Sequence, residues 1–517
     1  MGENLVDRAG REYGHRGDPR RQTKALVGSA VPGGSVPTGT TRLDLPHQAD
    51  GKIPRVTDHP RAADLLVRGA ELVATVDDQR REIPGGWIAI SDGVVSALGG
   101  PADQQPHAAR VLDATGCLVT PGLVNTHHHM YQNLTRAFAP ALTGGLFDWL
   151  VTLYPLWSRL DEEAAYVSAY VGLTELALGG ATTSTDHLYV HPKGAGDLIS
   201  AETRAAQDLG MRFHPTRGSM SLSVKDGGLP PDSVVQHDDE ILADSQRLVE
   251  LHHDPSPASM LRIALAPCSP FSVSTELMRA TAELAERLDV RLHTHLCETE
   301  DENAFCLETL GRRPVDYFED VGWGSSRSWV AHCVWPNADE VARLGAWGTG
   351  AAHCPSSNMI LGSGLAPVAE LRAAGVPVGL GCDGSSSADT ASLWLEARTA
   401  MLQGKLRHGA AAMTARDALE IATRGGAGCL GRVGEIGELS VGACGDVVVW
   451  SLDGPAFAGA LSDPIEAWLR CGPNSTRHTV VAGKPIVLDG APVHGGLDEM
   501  LLCHRAIAAG MQSALDA

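Results

Sequence analysis

The sequence predicts an α/β protein, a (β/α)8 TIM-like barrel with a small β-sandwich domain built from both chain ends. Between residues 119 and 437, eight short apolar runs alternate with longer helical patterns. That alternation is typical of parallel strands joined by helices. On either side, residues 63–118 and 438–495 hold short β-rich runs broken by Gly and Asp, as in hairpins.

Composition narrows the possible partners. The 517 residues are 43% hydrophobic and 20% charged, as in an ordinary soluble globular protein, and the net charge is −21. This acidity argues against nucleic acid or an anionic membrane as the main partner and leaves a small-molecule substrate. We find no run of ~18 apolar residues that would predict a membrane span. Eleven scattered Cys residues without a secretory signal predict reduced thiols and a cytoplasmic location.

Residues 1–62 are rich in Gly, Pro, Arg and Thr and show no sustained apolar period. They predict a disordered N-terminal extension, with a solvated tail favoured over a contact arm. At the other end, residues 496–517 predict an amphipathic C-terminal helix. Such a helix could serve as a contact in a homo-oligomer, whose subunit number the sequence leaves open.

The two flanking blocks are each small for an independent sheet. The first contains ADLLVRGAELVATV, GGWIAISDGVVSALG and ARVLDATGCLVTPG, and the second contains IGELSVGACGDVVVWSLD and HTVVAGKPIVLDG. We therefore expect them to combine into one sandwich, with the barrel inserted between them.

The eight predicted barrel strands are, in order, CLVTPGLVNTH, ATTSTDH, MRFHPTR, LRIALAP, VRLHTHL, SWVAHCV, GTGAAHC and VPVGLGCD. Amphipathic patterns such as AGDLISAETRAAQDLG and STELMRATAELAERLD separate several of them. In this fold the catalytic groups lie at the carboxyl ends of the strands. Reactive residues should therefore cluster where the predicted strands end.

Metal-ligating and acid–base residue types occur at four of these ends. They are His127 and His129 after the first strand, His295 and Glu298 after the fifth, His332 after the sixth and Asp383 after the eighth. Alternate residues of an extended segment share a face, so the first two imidazoles can point the same way. Imidazoles and a carboxylate from separate strands predict a site for a divalent metal. A surface run of histidines is disfavoured because this run follows an apolar strand.

With these motifs in place, residues 63–495 resemble the amidohydrolase superfamily. The similar segments are PGLVNTHHHMYQNLTR, GATTSTD, HTHLCET, VAHCV, CPSSNMILGSGLAPV and GLGCDGSSSADT. The resemblance is greatest to the aminohydrolase branch, whose members deaminate nitrogen heterocycles. It implies a hydrolase that acts on C–N bonds in cyclic amidines.

The resemblance also implies roles for the strand-end residues. His127, His129, His295 and Asp383 would hold one divalent metal, with zinc expected and iron left open. Glu298 would shuttle protons, and His332 would contact the metal-bound water or the substrate. A single metal is expected because the fourth strand ends in Leu265–Cys268 without the lysine that bridges two metals in binuclear members. His293 shares a strand face with His295 and is interpreted as a neighbour in the barrel wall.

The implied reaction is hydrolytic deamination by metal-bound hydroxide. Asp383 would take the proton of the attacking water, Glu298 would protonate a ring nitrogen, and His332 would steady the developing oxyanion. The predicted substrate contacts are Gln132, Trp149, Arg217 and Asn358. Core packing for Trp149, a structural ion pair for Arg217 and a structural turn for Asn358 remain alternatives.

The segments LFDWLVTLYPLWSRL, RGSMS and CPSSNMILGSG are most similar to those of branch members that act on 8-oxoguanine, so the resemblance implies 8-oxoguanine as the substrate, converted to urate and ammonia in purine catabolism. The alternatives are a hydroxytriazine of the hydroxyatrazine type, or guanine or a pterin. A ring-opening amidohydrolase would use the same metal on a cyclic C–N bond. Residues 379–384 also fit G-x-G-x-x-G, a dinucleotide-binding pattern. No helix pattern follows at once, so small residues of a barrel strand beside a metal ligand are the favoured interpretation.

Overall fold

The computed structural model describes residues 62–513. The predicted disordered extension over 1–62 therefore lies outside the described residues, apart from its last position. The described part contains a closed eight-stranded parallel barrel, a four-stranded sheet and a seven-stranded sheet. The prediction of an α/β barrel accompanied by β-sheets from both chain ends is confirmed.

The strands, in chain order, are β1 (Ala63–Arg68), β2 (Leu72–Ala74), β3 (Glu82–Pro84), β4 (Trp87–Ser91), β5 (Val94–Gly99), β6 (Ala108–Asp113), β7 (Cys117–Pro121), β8 (Leu123–Asn125), β9 (Ala181–Leu188), β10 (Arg212–Ser219), β11 (Ala264–Pro267), β12 (Arg291–Leu296), β13 (Ser328–His332), β14 (Gly350–His353), β15 (Val378–Leu380), β16 (Val447–Ser451), β17 (Thr476–Val481), β18 (Lys484–Leu488) and β19 (Ala491–Pro492).

The α-helices are α1 (Leu146–Trp157), α2 (Glu162–Leu178), α3 (Leu198–Leu209), α4 (Asp238–His252), α5 (Thr275–Leu288), α6 (Glu300–Phe305), α7 (Pro314–Asp320), α8 (Ala338–Trp347), α9 (Pro355–Ile360), α10 (Val368–Ala373), α11 (Leu393–His408), α12 (Ala415–Glu420), α13 (Gly426–Cys429), α14 (Pro464–Arg470) and α15 (Leu497–Ser513). Short 3-10 turns cover Met130–Thr135, Ala139–Ala141, Val224–Asp226, Asp232–Val234 and Pro455–Phe457, and π-helical turns cover Cys306–Leu310 and Ile421–Gly425.

The barrel runs from β8 through β15, and β15 returns to pair with β8. All eight predicted strands are present, but the first predicted run belongs to two sheets. It divides at Gly122, where a Cβ atom would lie 1.9 Å from Oγ1 of Thr182 on β9. The chain thus passes from β7 in the seven-stranded sheet to β8 in the barrel through a position that only glycine can occupy.

The helices begin where the sequence offers capping side chains. Ser274 accepts a hydrogen bond from the backbone N–H of Leu277 and starts α5, and Asp197 does the same for Ser200 in α3. Both helices fall on the amphipathic patterns predicted from the sequence. Their apolar faces pack on the barrel strands, so the strand ends are held in a fixed ring.

One of the two chain-end sheets joins residues that are far apart in sequence, and the other is formed entirely by residues 63–113. The four-stranded sheet has the order β5-β4-β1-β6, and the seven-stranded sheet has the order β19-β18-β17-β16-β7-β2-β3. In the latter, β16 pairs antiparallel with β7, with Val449 opposite Val119. The strand β7 extends to Pro121, beyond the boundary at residue 118 that the sequence suggested.

A buried ion pair connects this sheet region to the barrel. Arg212, the first residue of β10, makes bonds of 2.9 and 3.0 Å to the two carboxylate oxygens of Asp446, which precedes β16. Both side chains are almost fully buried, and Arg212 also donates to the carbonyls of Ala258 and Ser259. With its donors matched this way, the pair holds the two parts of the fold together.

The C-terminal residues form α15, whose Met511 is buried in the same apolar cluster as Trp157 of α1. Within residues 62–513, the helices are all too short or too polar to cross a membrane. The eleven cysteines form no disulfide, in keeping with the predicted reduced thiols.

Candidate metal centre and active site

Three imidazoles and one carboxylate meet at the carboxyl end of the barrel. The Nε2 atoms of His127 and His129 lie 3.5 and 3.3 Å from Oδ1 of Asp383. The Nε2 atom of His295 lies 3.2 Å from that of His129. The four residues come from β8, β12 and β15, or from the segments directly after them, so barrel closure creates the cluster. The structure brings together all four side chains predicted as metal ligands.

Hydrogen bonds on the opposite ring nitrogens fix the orientation of these imidazoles. Nδ1 of His129 donates to the carbonyl of His187 at 2.7 Å, and Nδ1 of His295 donates to the carbonyl of Cys268 at 2.7 Å. A carbonyl oxygen only accepts, so both Nε2 atoms keep their lone pairs. Such outer contacts are characteristic of histidines that bind metals.

The third imidazole is oriented through a further histidine. Nδ1 of His293 donates to the carbonyl of Trp329 at 2.9 Å, which leaves its Nε2 as an acceptor. That Nε2 lies 2.8 Å from Nδ1 of His127. His127 therefore donates from Nδ1 and presents a bare Nε2, which is buried without a hydrogen-bond partner among the described residues.

The electrostatics suit a cation. Burial lowers the pKa values of His127, His129 and His295, which keeps the three rings neutral. Burial alone would raise the pKa of Asp383, but the neighbouring His127 and His332 hold it well below its usual range. Three lone pairs and a carboxylate therefore surround a common point with no donor between them. This donor set fits a divalent metal with N/O ligand preference.

An acid–base pair borders the cluster. Oε2 of Glu298 lies 3.7 Å from Nε2 of His332, which lies 3.8 Å from Oδ2 of Asp383. Burial raises the pKa of Glu298 to about 7. Burial opposes protonation of His332, but the carboxylates of Glu298 and Asp383 outweigh it and raise the pKa of that imidazole. Both groups can therefore carry a proton near neutral pH.

Asn358 contacts His332. Its Oδ1 accepts a hydrogen bond of 2.9 Å from Nδ1 of His332, and its Nδ2 has no partner among residues 62–513. The preceding residue, Ser357, donates a hydrogen bond of 2.9 Å from its hydroxyl to that of Ser387. The hydroxyl of Ser387 in turn lies 3.5 Å from Oδ2 of Asp383. Residues of α9 therefore contact His332 directly and Asp383 through Ser387.

The backbone is strained where the site residues emerge. Cys297, His332 and Asp383 have positive φ angles of 56°, 70° and 60°. This region costs a non-glycine residue roughly 1–3 kcal/mol and is found at sites that the surrounding structure holds in place. The three positions are at the ends of three different barrel strands, where side chains turn towards the cluster.

A small chamber lies over the cluster. Its free volume is about 30 Å3, and it is lined by His129, Gln132, Leu146, Trp149, Leu150, Tyr189, Cys268, Phe271, His295, Glu298, His332, Leu361, Asp383 and Ser387. The indole Nε1 of Trp149 donates to the carbonyl of Ser386 at 3.3 Å, which ties α1 to the segment after β15. Gln132 lies over Gly384, where a Cβ atom would be 1.8 Å from its Oε1. That Oε1 is buried without a partner in the described structure.

Arg217, a predicted substrate contact, is not brought to the chamber. Its guanidinium pairs with Asp244 on α4 at 2.8 Å and donates to Gln236 Oε1 at 2.8 Å and to the carbonyl of Gly218. The side chain is fully buried, and all its nitrogens are engaged outside the chamber. Its geometry corresponds to the alternative, a structural ion pair.

Sequence reasoning missed His187, at the end of β9. Nε2 of His187 donates to the carbonyl of Ala266 at 2.9 Å, and its Nδ1 is buried without a partner among the described residues. Its ring stacks on that of His295, with centroids 4.9 Å apart. The sequence could have indicated this residue, because His187 is the last residue of the predicted strand ATTSTDH and site residues are expected at strand ends.

The glycine pattern at 379–384 belongs to the barrel. Gly379 lies within β15, and the next helix, α11, begins only at Leu393. A Cβ atom on Gly381 would lie 2.7 Å from that of His127. The small residues therefore allow the first metal-cluster histidine to approach, which agrees with the favoured interpretation of this motif.

Together, the fold and this cluster define a barrel hydrolase with a buried histidine–aspartate group suited to a metal. The sequence profile described as the amidohydrolase family matches residues 118–486. The chain belongs to the amidohydrolase family. This confirms both the resemblance stated from the sequence and the predicted class of enzyme, a hydrolase acting on C–N bonds other than peptide bonds.

Several relatives cover most of the chain. It is 49% identical over 429 residues to 8-oxoguanine deaminase from Pseudomonas aeruginosa, covering 82% of this chain and 95% of that one. It is 35% identical over 458 residues to hydroxydechloroatrazine ethylaminohydrolase from Pseudomonas sp. strain ADP, covering 85% and 94%. Among solved structures, atrazine chlorohydrolase from Arthrobacter aurescens TC1 complexed with zinc matches with a TM-score of 0.82 and 34% identity, covering 86% of this chain and all of that one.

Proposed function

We propose that the protein deaminates 8-oxoguanine to urate and ammonia. The observation that carries the proposal is the convergence of three imidazole Nε2 atoms and Asp383 beside Glu298, a buried acid whose pKa is near neutrality. This combination supplies both a place for a metal and a proton donor in one chamber. The relative that shares 49% identity is an 8-oxoguanine deaminase, which favours this heterocycle.

In this proposal His127, His129, His295 and Asp383 hold one divalent metal. When bound, such a metal lowers the pKa of a coordinated water towards neutrality and so supplies a nucleophile. Zinc is the expected ion, because the neutral imidazoles and carboxylate suit it and a similar structure contains zinc. Iron would fit the same donor set.

Glu298 acts as the general acid. At neutral pH its carboxyl is partly protonated, since burial raises its pKa to about 7. It gives that proton to the ring nitrogen beside the amino-bearing carbon, which makes the carbon more electrophilic. Asp383, whose pKa is held low, remains a base and accepts a proton from the attacking water. Asp383 then passes this proton to the amino group, which leaves as ammonia, and the hydroxyl left on the carbon returns its proton to Glu298 as the C=O bond forms.

His332 stabilises the negative charge that develops on the attacking oxygen. Its Nδ1 proton is committed to Asn358, so the second proton of its charged form is on Nε2, facing Glu298 and Asp383. Donors that are fixed before the reaction stabilise such charge without reorganisation. We assign Asn358 as the positioning residue for His332, in place of a direct contact with the substrate.

Gln132 and Trp149 form the recognition surface of the chamber. The unpartnered Oε1 of Gln132 can accept a hydrogen bond from a ring N–H, and Trp149 covers the chamber from α1. A flat oxo-substituted heterocycle offers such an N–H on its edge. Arg217 has no part in this surface, since its donors are engaged elsewhere.

A hydroxytriazine of the hydroxyatrazine type is the second candidate substrate. The relative from Pseudomonas sp. strain ADP and the similar atrazine chlorohydrolase favour it. Both candidates are flat nitrogen rings of related chemistry, so the metal cluster alone does not separate them.

The experiment is ammonia release by metal-reconstituted enzyme from 8-oxoguanine, hydroxyatrazine, guanine and a pterin. We expect kcat/KM for 8-oxoguanine to exceed the others by at least tenfold, with urate as product. Preference for hydroxyatrazine would overturn the substrate and keep the reaction type. Absence of ammonia from all four would overturn deamination, and ring-opened product without ammonia would indicate an amidohydrolase acting on a cyclic C–N bond.

We also propose a cytoplasmic homo-oligomer. Eleven unpaired cysteines suit a reducing compartment. Leu502 on α15 is 66% exposed, and burying it against a second copy would remove apolar surface from water. Sedimentation velocity of the full chain, with Leu502→Glu as the variant, tests this contact: a monomer in both would contradict it.

A further inference from the structure

A second polar cleft lies at the opposite end of the barrel from the metal cluster. This basal cleft has a volume of about 320 Å3, and its lining includes His214, His253, Arg262, Arg291 and Arg327. Arg291 is the first residue of β12, Arg327 directly precedes β13, and Arg262 lies two residues before β11. The amino ends of the strands therefore bring three guanidinium groups to one cleft.

The charges there are not balanced. Arg262 and the buried Arg432 share one carboxylate, that of Glu435, at 3.1 and 3.0 Å. Arg327 pairs with Asp289 at 2.9 Å. Arg291 has no carboxylate within ion-pair distance in the described chain. Among the side chains that line the cleft, three guanidinium groups therefore face one carboxylate, that of Asp289, and the carboxylates of Asp254 and Glu435 lie near Arg262.

Arg291 has donors to spare. Its Nη2 donates to the carbonyl of Cys429 at 2.6 Å, and its Nε is shielded from solvent without a partner among the described residues. The guanidinium lies 5.7 Å from the ring centroid of Trp329, so one face is held against an indole. Burial lowers the pKa of Arg291 to about 10, which still leaves it charged at neutral pH. A charged group held in this way favours an anion beside it.

Two histidines add neutral donors. His214 is 1% exposed, and neither of its ring nitrogens has a hydrogen-bond partner in the described structure. Burial, together with Arg432 and Arg291, lowers its pKa well below the usual value, so it is neutral. Nδ1 of His253 accepts from the backbone N–H of Ile263 at 3.0 Å, which leaves an N–H on its Nε2. An unpartnered buried side chain of this kind needs a ligand or water.

We propose that the basal cleft binds a phosphate group, held by Arg291 and the lining arginines and histidines. Guanidinium groups present paired donors that match phosphate oxygens, and the net positive charge supplies the attraction. The group can come from inorganic phosphate or from a small phosphomonoester. This site is separate from the metal cluster and does not depend on the reaction proposed for it.

Isothermal titration of the metal-loaded enzyme with inorganic phosphate and with glycerol 3-phosphate tests this proposal at constant ionic strength set by chloride. We expect saturable binding of at least one of them, weakened at least tenfold by Arg291→Met. Tighter binding of the ester would identify a phosphomonoester as the ligand, and equal or weaker binding would identify free phosphate. Arg398→Met is the matched control, because Arg398 donates to the carbonyls of Leu469 and Arg470 and does not line the cleft.

The catalytic metal could also attract phosphate, and the variants separate the two sites. Phosphate bound at the metal would survive Arg291→Met and would inhibit turnover competitively. If Arg291→Met fails to fold, Arg327→Gln, at a half-buried position, provides the same comparison with a several-fold loss expected. No saturable binding to the wild type, or unchanged binding in the variants, would overturn the proposal.

Discussion

Replacement of Glu298 by Gln tests the chemical step most directly. The carboxyl group is 3% exposed, and its Oε2 lies 3.7 Å from Nε2 of His332. Gln has the same shape and can still donate a hydrogen bond, but its amide cannot release a proton to a ring nitrogen. The variant should therefore bind substrate and metal and fail in turnover.

The expected loss follows from the role of the acid. A positioned general acid contributes about 10²–10⁴-fold to a rate, which corresponds to roughly 3–5 kcal/mol of barrier. Burial places the pKa of Glu298 at about 7, so the wild type carries the needed proton on a large share of molecules at neutral pH. We expect kcat to fall by a factor in that range, with KM changed by no more than a few-fold.

The assay is steady-state ammonia release, accompanied by metal content from elemental analysis. Glu340→Gln is the matched control, because Glu340 is also fully buried but does not line the chamber. Its kcat at neutral pH should stay within about threefold of the wild type. A Glu298→Gln enzyme with full metal and more than a tenth of wild-type kcat would refute the assignment of Glu298 as the acid.

Three further substitutions test other parts of the structure. Asn358→Ala should lower kcat about tenfold at nearly constant KM, since His332 loses the acceptor that orients it; partial recovery in Asn358→Asp and a shifted pH profile would separate positioning from a folding defect. Arg212→Met should destabilise the fold by about 3–5 kcal/mol in urea denaturation, because it leaves Asp446 charged and buried; a loss under 1 kcal/mol would show that the pair is dispensable. Burial raises the pKa of Glu396 from 4.5 to about 8, so the folded state holds its proton more tightly than the unfolded state. Stability should therefore fall by several kcal/mol as the pH rises from about 4.5 to 8, and Glu396→Gln should flatten this part of the melting-temperature profile; an unchanged slope would contradict the raised pKa.

The sequence was informative about the strand ends because one rule of the fold applies to all of them. Parallel strands place their carboxyl ends on one edge of the barrel. The proximity of His129, His295 and Asp383, which follow three separate strands, could therefore be predicted from the sequence. Their proton positions could not be predicted. These depend on the carbonyl oxygens of residues such as His187, on β9, and Cys268, directly after β11, whose positions follow from the register of the strands.

The direction in which a strand-end side chain points could not be predicted from the sequence either. Arg217 ends a predicted strand, as the metal-cluster residues do, yet its guanidinium pairs with Asp244 on a helix. Whether such a residue faces the chamber or the helices depends on pleat and bulge details that a run of letters does not fix. The same uncertainty applied to His293 and His295, which share a face. Their Nε2 atoms distinguish the two, because that of His293 contacts Nδ1 of His127 and that of His295 lies within the cluster, 3.2 Å from Nε2 of His129.

The chamber links substrate access to acid strength. Its free volume of about 30 Å3 is far below what a bicyclic heterocycle occupies, so the covering residues on α1 must move to admit substrate. The hydrogen bond from Trp149 to Ser386 is the contact that such a movement breaks. Glu298 owes its raised pKa first to burial. An open chamber would admit water and lower that pKa, so closure over the substrate would restore the protonated acid just when the reaction requires it.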